Sequence, residues 1–287
     1  MLDPAGRYLI TGGTGFLGRE LIRTLVGQGI TNLVVVARNE GKLVALKTEF
    51  PTIEILPGDV SDPVVCAKAC RLVDGVFHLA AFKHVPMAET DSYECVRSNI
   101  NGTLNLLVES IGRTGNGSPA FFVYISTDKA AQVTGVYGAT KFVGEKVVQE
   151  FQKINSVTKY SIIRYGNVFG STGSFIHKWQ KAVKAGEPIV ITDPDATRFF
   201  FTVDSAVKLI MAAVEAGSGL VIPYIKAVRM GVVAEAFSEH VGGCEIKTIG
   251  LQPGENKHET MNGVTFSDEA EQYTKDEFKA EFLCPTM

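Results

Sequence analysis

The sequence predicts an α/β fold: a doubly wound parallel sheet followed by a smaller C-terminal lobe. Three observations predict it. Short β-branched runs alternate with stretches of helical periodicity through the first 165 residues, the pattern of a parallel sheet with helices on both faces. The runs are apolar without interruption, as strands buried on both sides are. Beyond residue 166 the alternation loosens into stretches such as GSTGSF and ITDPDATRFF, which suit loops and small elements.

Taken in order, RYLIT (7–11) is the first strand and 16–27 its helix. NLVVVA (32–37) leads to a helix over 40–48, and IEIL (53–56) to one over 62–72. GVFHLA (75–80) precedes a helix over 92–112, AFFVYIS (120–126) precedes one over 136–153, and YSIIRY (160–165) closes the series. The expected organisation is a nucleotide-binding domain over 1–165, with 199–225 returning to it, and a substrate-binding lobe from 166–198 and 226–287.

At 287 residues the chain can bury a large core, and 45% hydrophobic with 21% charged residues is ordinary for a soluble protein. A net charge of −3 gives no general attraction to nucleic acid. The five cysteines (Cys66, Cys70, Cys95, Cys244 and Cys284) are odd in number and form no C-x-x-C pair, which suits a reducing compartment and suggests no metal site. The apolar runs, LVVVA at 33–37 and LIMAAV at 209–214 among them, fall far short of the roughly 20 residues that cross a bilayer. With no signal-peptide pattern at the start, the expected location is cytoplasmic, without a membrane partner.

LITGGTGFLG places Gly12, Gly15 and Gly18 between the first strand and its helix, the position a dinucleotide-binding turn requires. Gly12 permits the tight turn, Gly15 lets backbone approach a pyrophosphate at the positive end of the helix, and Gly18 lets helix and strand pack closely. Thr14, Phe16 and Leu17 complete this turn, and the fold expectation becomes Rossmann-like. The second strand ends VVVARNEGK, where an NAD site would carry an acid for the ribose hydroxyls. Arg38 stands there instead, with Lys42 one turn on; a guanidinium suits a 2′-phosphate, favouring NADP over NAD, and a solvated strand-end arginine is the plain alternative. Asp59 and Val60 follow the third strand, where the acid can bond an adenine amino group or simply begin a helix. Ala80 and Ala81 follow the fourth strand at the cofactor crevice.

STDKAAQVTGVYGATK (126–141) holds an acid, two lysines and a tyrosine. Tyr137 and Lys141 are spaced i, i+4, so a helix puts them on one face, where an ammonium favours phenolate. Ser126 and Thr127 end the fifth strand, and strand carboxyl ends are where open α/β sheets bind ligands. Asp128 could be a helix-capping acid and Lys129 a surface lysine.

TGGTGFLG with YGATK resembles the extended short-chain dehydrogenase/reductases. The resemblance implies that Thr127 orients a sugar hydroxyl, Tyr137 removes its proton, and Lys141 tunes the tyrosine and holds the nicotinamide ribose. It also matches Asn99, in RSNINGT, to an asparagine common in that superfamily. HLAAFKHVPMAE, STDKA, YGATK, RYGNVFGSTGSFI, TRFF and GENKHE together are similar to the UDP-N-acetylglucosamine 4,6-dehydratases. This resemblance implies two further roles: Lys129 takes the carbon 5 proton and Asp128 protonates the departing carbon 6 hydroxyl. Tyr137 stands where retaining relatives tend to carry methionine, which implies inversion at carbon 5. Ala131, Gln132 and Val133 depart from the Val-Asn-Pro of that family, a difference that bears on the loop's fit to the sugar.

By the same resemblance Lys83 contacts cofactor or sugar, His84 faces the substrate, and Asn167, Arg198 and Glu255 hold the UDP portion of a UDP-linked amino sugar. The superfamily's habit of pairing two long helices per subunit implies a homo-oligomer through 92–112 and 136–153. A UDP-sugar 4-epimerase or reductase needs only Thr127, Tyr137 and Lys141, so Asp128 and Lys129 carry the distinction. A regulator that only binds NADP would have no use for the Tyr/Lys pair.

Overall fold

The computed structural model describes residues 2–111, 118–171 and 173–284. Gly112, the last residue of the helix expected over 92–112, lies outside the described residues, as do Met1, Thr172 and residues 285–287 of the expected domains.

Six strands alternate with helices as the apolar runs predict: β1 (Tyr8–Thr11), α1 (Phe16–Gly27), β2 (Leu33–Ala37), α2 (Glu40–Glu49), β3 (Glu54–Pro57), α3 (Pro63–Ala69), β4 (Gly75–His78), α4 (Val85–Thr90), α5 (Ser92–Val96), α6 (Gly102–Ser110), β5 (Phe121–Ile125), α7 (Val136–Ile154) and β6 (Lys159–Ile163). There follow β7 (Asn167–Val168), α8 (Phe175–Lys184), β8 (Ile189–Ile191), β9 (Thr197–Phe201), α9 (Val203–Ala216), β10 (Gly219–Val221), β11 (Ala227–Arg229), α10 (Met230–His240), β12 (Ile246–Thr248) and α11 (Lys275–Phe278). The main sheet has the order β10-β6-β5-β4-β1-β2-β3, and each of its neighbouring pairs is parallel.

Because strand side chains alternate between faces, the sheet divides its apolar residues into two cores. Ile10, Val35, Phe77 and Val123 pack on one face with Leu21, Ile22 and Leu25 of α1 and Val207 and Ile210 of α9. Leu9, Val34, Val76 and Phe122 pack on the other with Leu106 and Leu107 of α6 and Val148 and Phe151 of α7. Each such side chain, fully buried, contributes about 1.5–3 kcal/mol, so two continuous layers hold the strand ends rigidly.

The helix expected over 92–112 is broken. A wide turn over Arg97–Asn101, with the hydrogen bonding of a π-helix, separates α5 from α6. Such insertions cluster at functional sites, and this one brings Asn99 to the chain after β4, where its amide brackets Phe82: Phe82 N donates to Asn99 Oδ1 (2.7 Å) and Asn99 Nδ2 donates to Phe82 O (3.0 Å).

The smaller lobe contains a sheet ordered β11-β9-β7 and the pair β12-β8. An aromatic cluster holds it together, Phe175 against Trp179 at 4.7 Å between centroids and Phe278 against Phe282 at 4.8 Å. Phe199 to Phe201 lie in β9 of this lobe, and the chain rejoins the large sheet through α9 and β10. Arg164, just past β6, ties the parts: it pairs with Glu145 of α7 and donates through Nη1 to Met261 O at 2.7 Å.

Candidate functional site

The strand order reverses between β1 and β4, and the two strands leave a crevice at their carboxyl ends. Gly12 lies there with φ of +70°, and a Cβ on it would come within 2.8 Å of the Ala80 amide nitrogen. Gly18 packs so closely that a Cβ would lie 2.6 Å from Gly12 O. Gly15 precedes α1 with extended backbone and no side-chain cap, and no acid stands in the first turn. The first N–H groups of α1 are therefore available to an anion. Thr14, Phe16 and Leu17 are partly buried around this turn.

A directed chain of hydrogen bonds fixes the opposite wall of the crevice. Ala80 N donates to Thr11 Oγ1 (3.1 Å), so the Thr11 hydroxyl proton goes to His78 Nδ1 (2.8 Å). His78 Nε2 then carries the proton and donates to Thr103 Oγ1 (2.9 Å), which donates to Asn99 O (2.7 Å). Burial, aided by the Lys141 charge, lowers the His78 pKa to about 3, so the imidazole is neutral, as the chain demands. The side chain of Asn99, 1% exposed, is spent on Phe82, Thr140 and Cys95, which makes it a brace for the Ala80–Phe82 segment.

At the end of β2, Arg38 is exposed, with Nη1 4.0 Å from Asp59 Oδ2. Arg97 approaches the same oxygen at 3.1 Å, and Ser61 N donates to Asp59 Oδ1 at 2.9 Å. Burial alone would raise the Asp59 pKa; the Ser61 hydrogen bonds and the two guanidinium groups hold it below the usual carboxylate value. Lys42 is exposed in the first turn of α2, where its N–H is capped by Asn39. Val60 is buried, and its carbonyl accepts from Asn105 at 3.1 Å.

At the end of β5, Thr127, Asp128 and Lys129 enter a 3-10 turn, and Tyr137 and Lys141 face it from the start of α7. Asp128 is 1% exposed. Its Oδ1 accepts from Thr127 Oγ1 (2.9 Å) and Lys129 Nζ (3.2 Å), while Oδ2 is buried with no partner. Desolvation raises the Asp128 pKa against the pull of Lys129, and the nearby Glu259 charge raises it further. Lys129 Nζ also lies 3.1 Å from Glu259 Oε1. Burial opposes the ammonium, but the two carboxylates outweigh it and hold the Lys129 pKa above the usual lysine value.

Burial pushes the Tyr137 phenol up to about 12, against Lys129 and a Thr127 hydrogen bond, which pull it down. The cation acting on Tyr137 is thus Lys129, whereas the i, i+4 spacing points to Lys141. Lys141 is 3% exposed, with its ammonium 4.0 Å above the Tyr124 ring. Desolvation lowers its pKa to about 7.

Of the residues expected to face a substrate, Lys83 is exposed beside the crevice, and desolvation lowers its pKa. His84 stands at the N-terminal boundary of α4 next to Gly173, without a side-chain capping bond, and burial with the charges of Lys83 and Lys178 lowers its pKa. Asn167 donates to Phe199 O at 3.3 Å. Arg198 lies with Nε 3.8 Å from Glu259 Oε1, and its Nη1 donates to Lys257 O. Glu255 turns back on its own loop to accept from Gln252 N at 3.1 Å. It is Glu259, the last residue of the GENKHE motif, that reaches the chemical cluster; the motif held the signal, and the first acid drew the reading.

Among the described residues no group of His, Cys, Asp or Glu could hold a metal ion, and no helix is long and apolar enough to cross a membrane.

The family model described as polysaccharide biosynthesis protein matches residues 8–281. The chain is 34% identical over 261 residues to an inverting UDP-N-acetylglucosamine 4,6-dehydratase of Campylobacter jejuni subsp. jejuni serotype O:2, covering 88% of this chain and 76% of that one. It is 31% identical over 264 residues to a UDP-glucose 4-epimerase of Rickettsia canadensis, covering 88% and 76%. The X-ray structure of Pen from Bacillus thuringiensis superposes with a TM-score of 0.90 at 28% identity, covering 97% of each chain.

Proposed function

This chain belongs to the polysaccharide biosynthesis protein family, as an extended short-chain dehydrogenase/reductase resembling the UDP-N-acetylglucosamine 4,6-dehydratases, and from that premise we propose that it is such a dehydratase, holding NADP tightly and inverting carbon 5. The observation that carries this reading is the Asp128–Lys129 pair at 3.2 Å, its carboxylate buried, beside Tyr137. Oxidation at a single carbon requires one base; this cluster has further groups for moving protons.

The residues present fit the dinucleotide. Gly12, Gly15 and Gly18 leave a cradle that side chains would fill, and α1 offers uncapped N–H groups to a pyrophosphate. Arg38, with no acid beside it on β2, supports the phosphorylated form. When bound, NADP would supply a hydride acceptor for the transient oxidation of carbon 4, with Gly12, Gly15, Gly18 and Arg38 holding it.

The chain's own groups move the protons. Tyr137, hydrogen-bonded to Thr127, first gives its phenolic proton to solvent, and as phenolate it accepts the proton of the 4-hydroxyl. A hexose beside Lys129 separates it from Glu259, and the ammonium proton passes along the 3.2 Å hydrogen bond to Asp128, whose burial favours the neutral acid. The freed Lys129 amine takes the carbon 5 proton, made acidic by the adjacent ketone. Asp128 gives its proton to the carbon 6 hydroxyl, which leaves as water. Lys129 ends charged and Asp128 ionised, as they began. Tyr137, still holding the proton of the 4-hydroxyl, then gives it to the opposite face of carbon 5 and returns to phenolate. Arg198, Asn167 and His84 line the approach that the UDP portion would use. Exposed Tyr93, Val96, Leu104, Phe142 and Val143 on α5 to α7 support a homo-oligomer through these helices.

The test is incubation with UDP-N-acetylglucosamine and no added cofactor, in heavy water. The expected product has lost one water and carries deuterium at carbon 5. A product of unchanged mass, epimerised at carbon 4, would overturn the reading in favour of a UDP-sugar 4-epimerase.

A further inference from the structure

In the sequence of proton transfers above, Lys129 must become neutral after substrate enters, and Glu259 opposes this. The Glu259 carboxylate is 1% exposed and 3.1 Å from Lys129 Nζ. It is anchored to the smaller lobe. Its amide donates to Ser267 Oγ (2.9 Å), Ser267 Oγ bonds Thr197 Oγ1 (2.5 Å), and Thr197 Oγ1 bonds His258 Nδ1 (2.8 Å). Asn256 Nδ2 donates to Glu259 Oε2 at 3.3 Å, and Arg164 holds Met261 two residues on. A carboxylate so fixed keeps its place while a substrate moves the flexible lysine.

We propose that Glu259 is a positioning residue that clamps Lys129 in its charged resting state through the 3.1 Å ion pair, and that a hexose entering between lobe and sheet breaks this pair and so releases the lysine's proton to Asp128. The inference rests on the dehydratase reading and adds to it what keeps the cluster inactive without substrate.

Four groups face Lys129. Asp128 lies on its own turn, Glu259 comes from the lobe, Arg198 from β9 and Tyr137 from α7. The two carboxylates differ. Burial works against ionised Glu259, yet Lys129 and Arg198 hold its pKa below the usual value. Asp128 is raised instead, because desolvation and the Glu259 charge outweigh the pull of Lys129. Glu259 is therefore the ionised half of the clamp, and Asp128 is the group able to receive a proton.

The experiment reads the amine directly. Ligand-free protein is treated with an amine-acylating reagent between about pH 7 and 10, and Lys129 labelling is followed by peptide mass spectrometry, since only the neutral amine reacts. In Glu259→Gln the rate at Lys129 should rise about tenfold at a given pH, the change made by one unit of pKa. The acid limb of the kcat/KM profile for water loss, which reports the free enzyme, should move to lower pH by a similar amount. A residue that merely braced the loop would move neither.

Equal Lys129 labelling in parent and Glu259→Gln overturns the inference, whatever the product assay gives. Labelling as expected, from a parent that forms no 4-keto-6-deoxy sugar, supports the clamp and removes the dehydratase reading. Should Glu259→Gln fail to fold, Ser267→Ala, which releases the Glu259 amide, decides in the same way: faster Lys129 labelling supports the clamp and an unmoved rate overturns it.

Discussion

The crevice between β1 and β4 and the cluster at the end of β5 lie on one sheet but are built by opposite rules. In the crevice, Thr11, His78, Thr103 and Asn99 form a chain in which each polar side chain has a partner and its proton a fixed direction. At β5, Asp128 Oδ2 is buried without a partner and the Lys141 ammonium rests on an aromatic ring. Asp128, Lys129, Tyr137 and Lys141 all have pKa values shifted from their ordinary ones. A site that positions a ligand gains from complete hydrogen bonding, whereas one that moves protons needs charge states close enough in energy to interchange. The cluster is then a local cost in stability carried by a satisfied surround.

Asp128→Asn probes this contrast most strongly. Dehydration should fall by about 10²–10⁴-fold, the usual contribution of a general acid. Stability should move the other way. Because the folded pKa of Asp128 is raised, the parent is least penalised below the unfolded aspartate value of about 3.9 and loses stability as pH rises through the folded value. The variant should therefore melt higher than the parent at neutral pH, with the gain fading on acidification. Melting curves at several pH values beside product assays check both signs. A variant that melts lower at neutral pH would place Asp128 among the satisfied, structural groups.

Lys141→Met sharpens the same comparison. With the folded pKa held near 7, the unfolded chain binds one more proton than the folded chain between about pH 7 and 10.4, so parent stability rises with pH through that window. Methionine removes the penalty, and the variant should melt several degrees higher at pH 7. The advantage should disappear near pH 10.5, and activity should be lost. An advantage that stays constant with pH would mean that the lysine is not neutralised by folding.

The two regions also differ in how much of each was legible in the sequence. The crevice was largely legible because its pieces are local: a strand, the motif glycines Gly12, Gly15 and Gly18 and the start of a helix lie within eleven residues, Tyr8 to Gly18, each glycine answering a steric demand. The i, i+4 spacing of Tyr137 and Lys141 was legible for the same reason. The charges at β5 were not, since they depend on Glu259 and Arg198, which only tertiary packing brings to Lys129. Periodicity also missed the break over Arg97–Asn101, which the hydrogen bonds of Asn99 to Phe82 stabilise. His78 reads as one more residue of a buried strand; its role appears once β1, β4 and α6 stand side by side.

His78→Leu should give the smallest of these effects, and its sign distinguishes the two regions. Leucine fills the space but leaves the Thr11 and Thr103 hydroxyls without their ring partner, a loss of about 1–3 kcal/mol at neutral pH. The folded His78 pKa is near 3, so the unfolded chain binds the extra proton between about pH 3 and 6.5, and the parent weakens as pH falls through that range. Leucine has no such dependence, so its deficit should narrow on acidification and stay flat above about pH 6.5. At neutral pH, removing a titratable group is therefore expected to destabilise the crevice and stabilise the β5 cluster. A leucine variant as stable as the parent at pH 7 would mean that Thr11 and Thr103 find other partners, and the Ala80–Phe82 wall would owe its position to packing and to Asn99 alone.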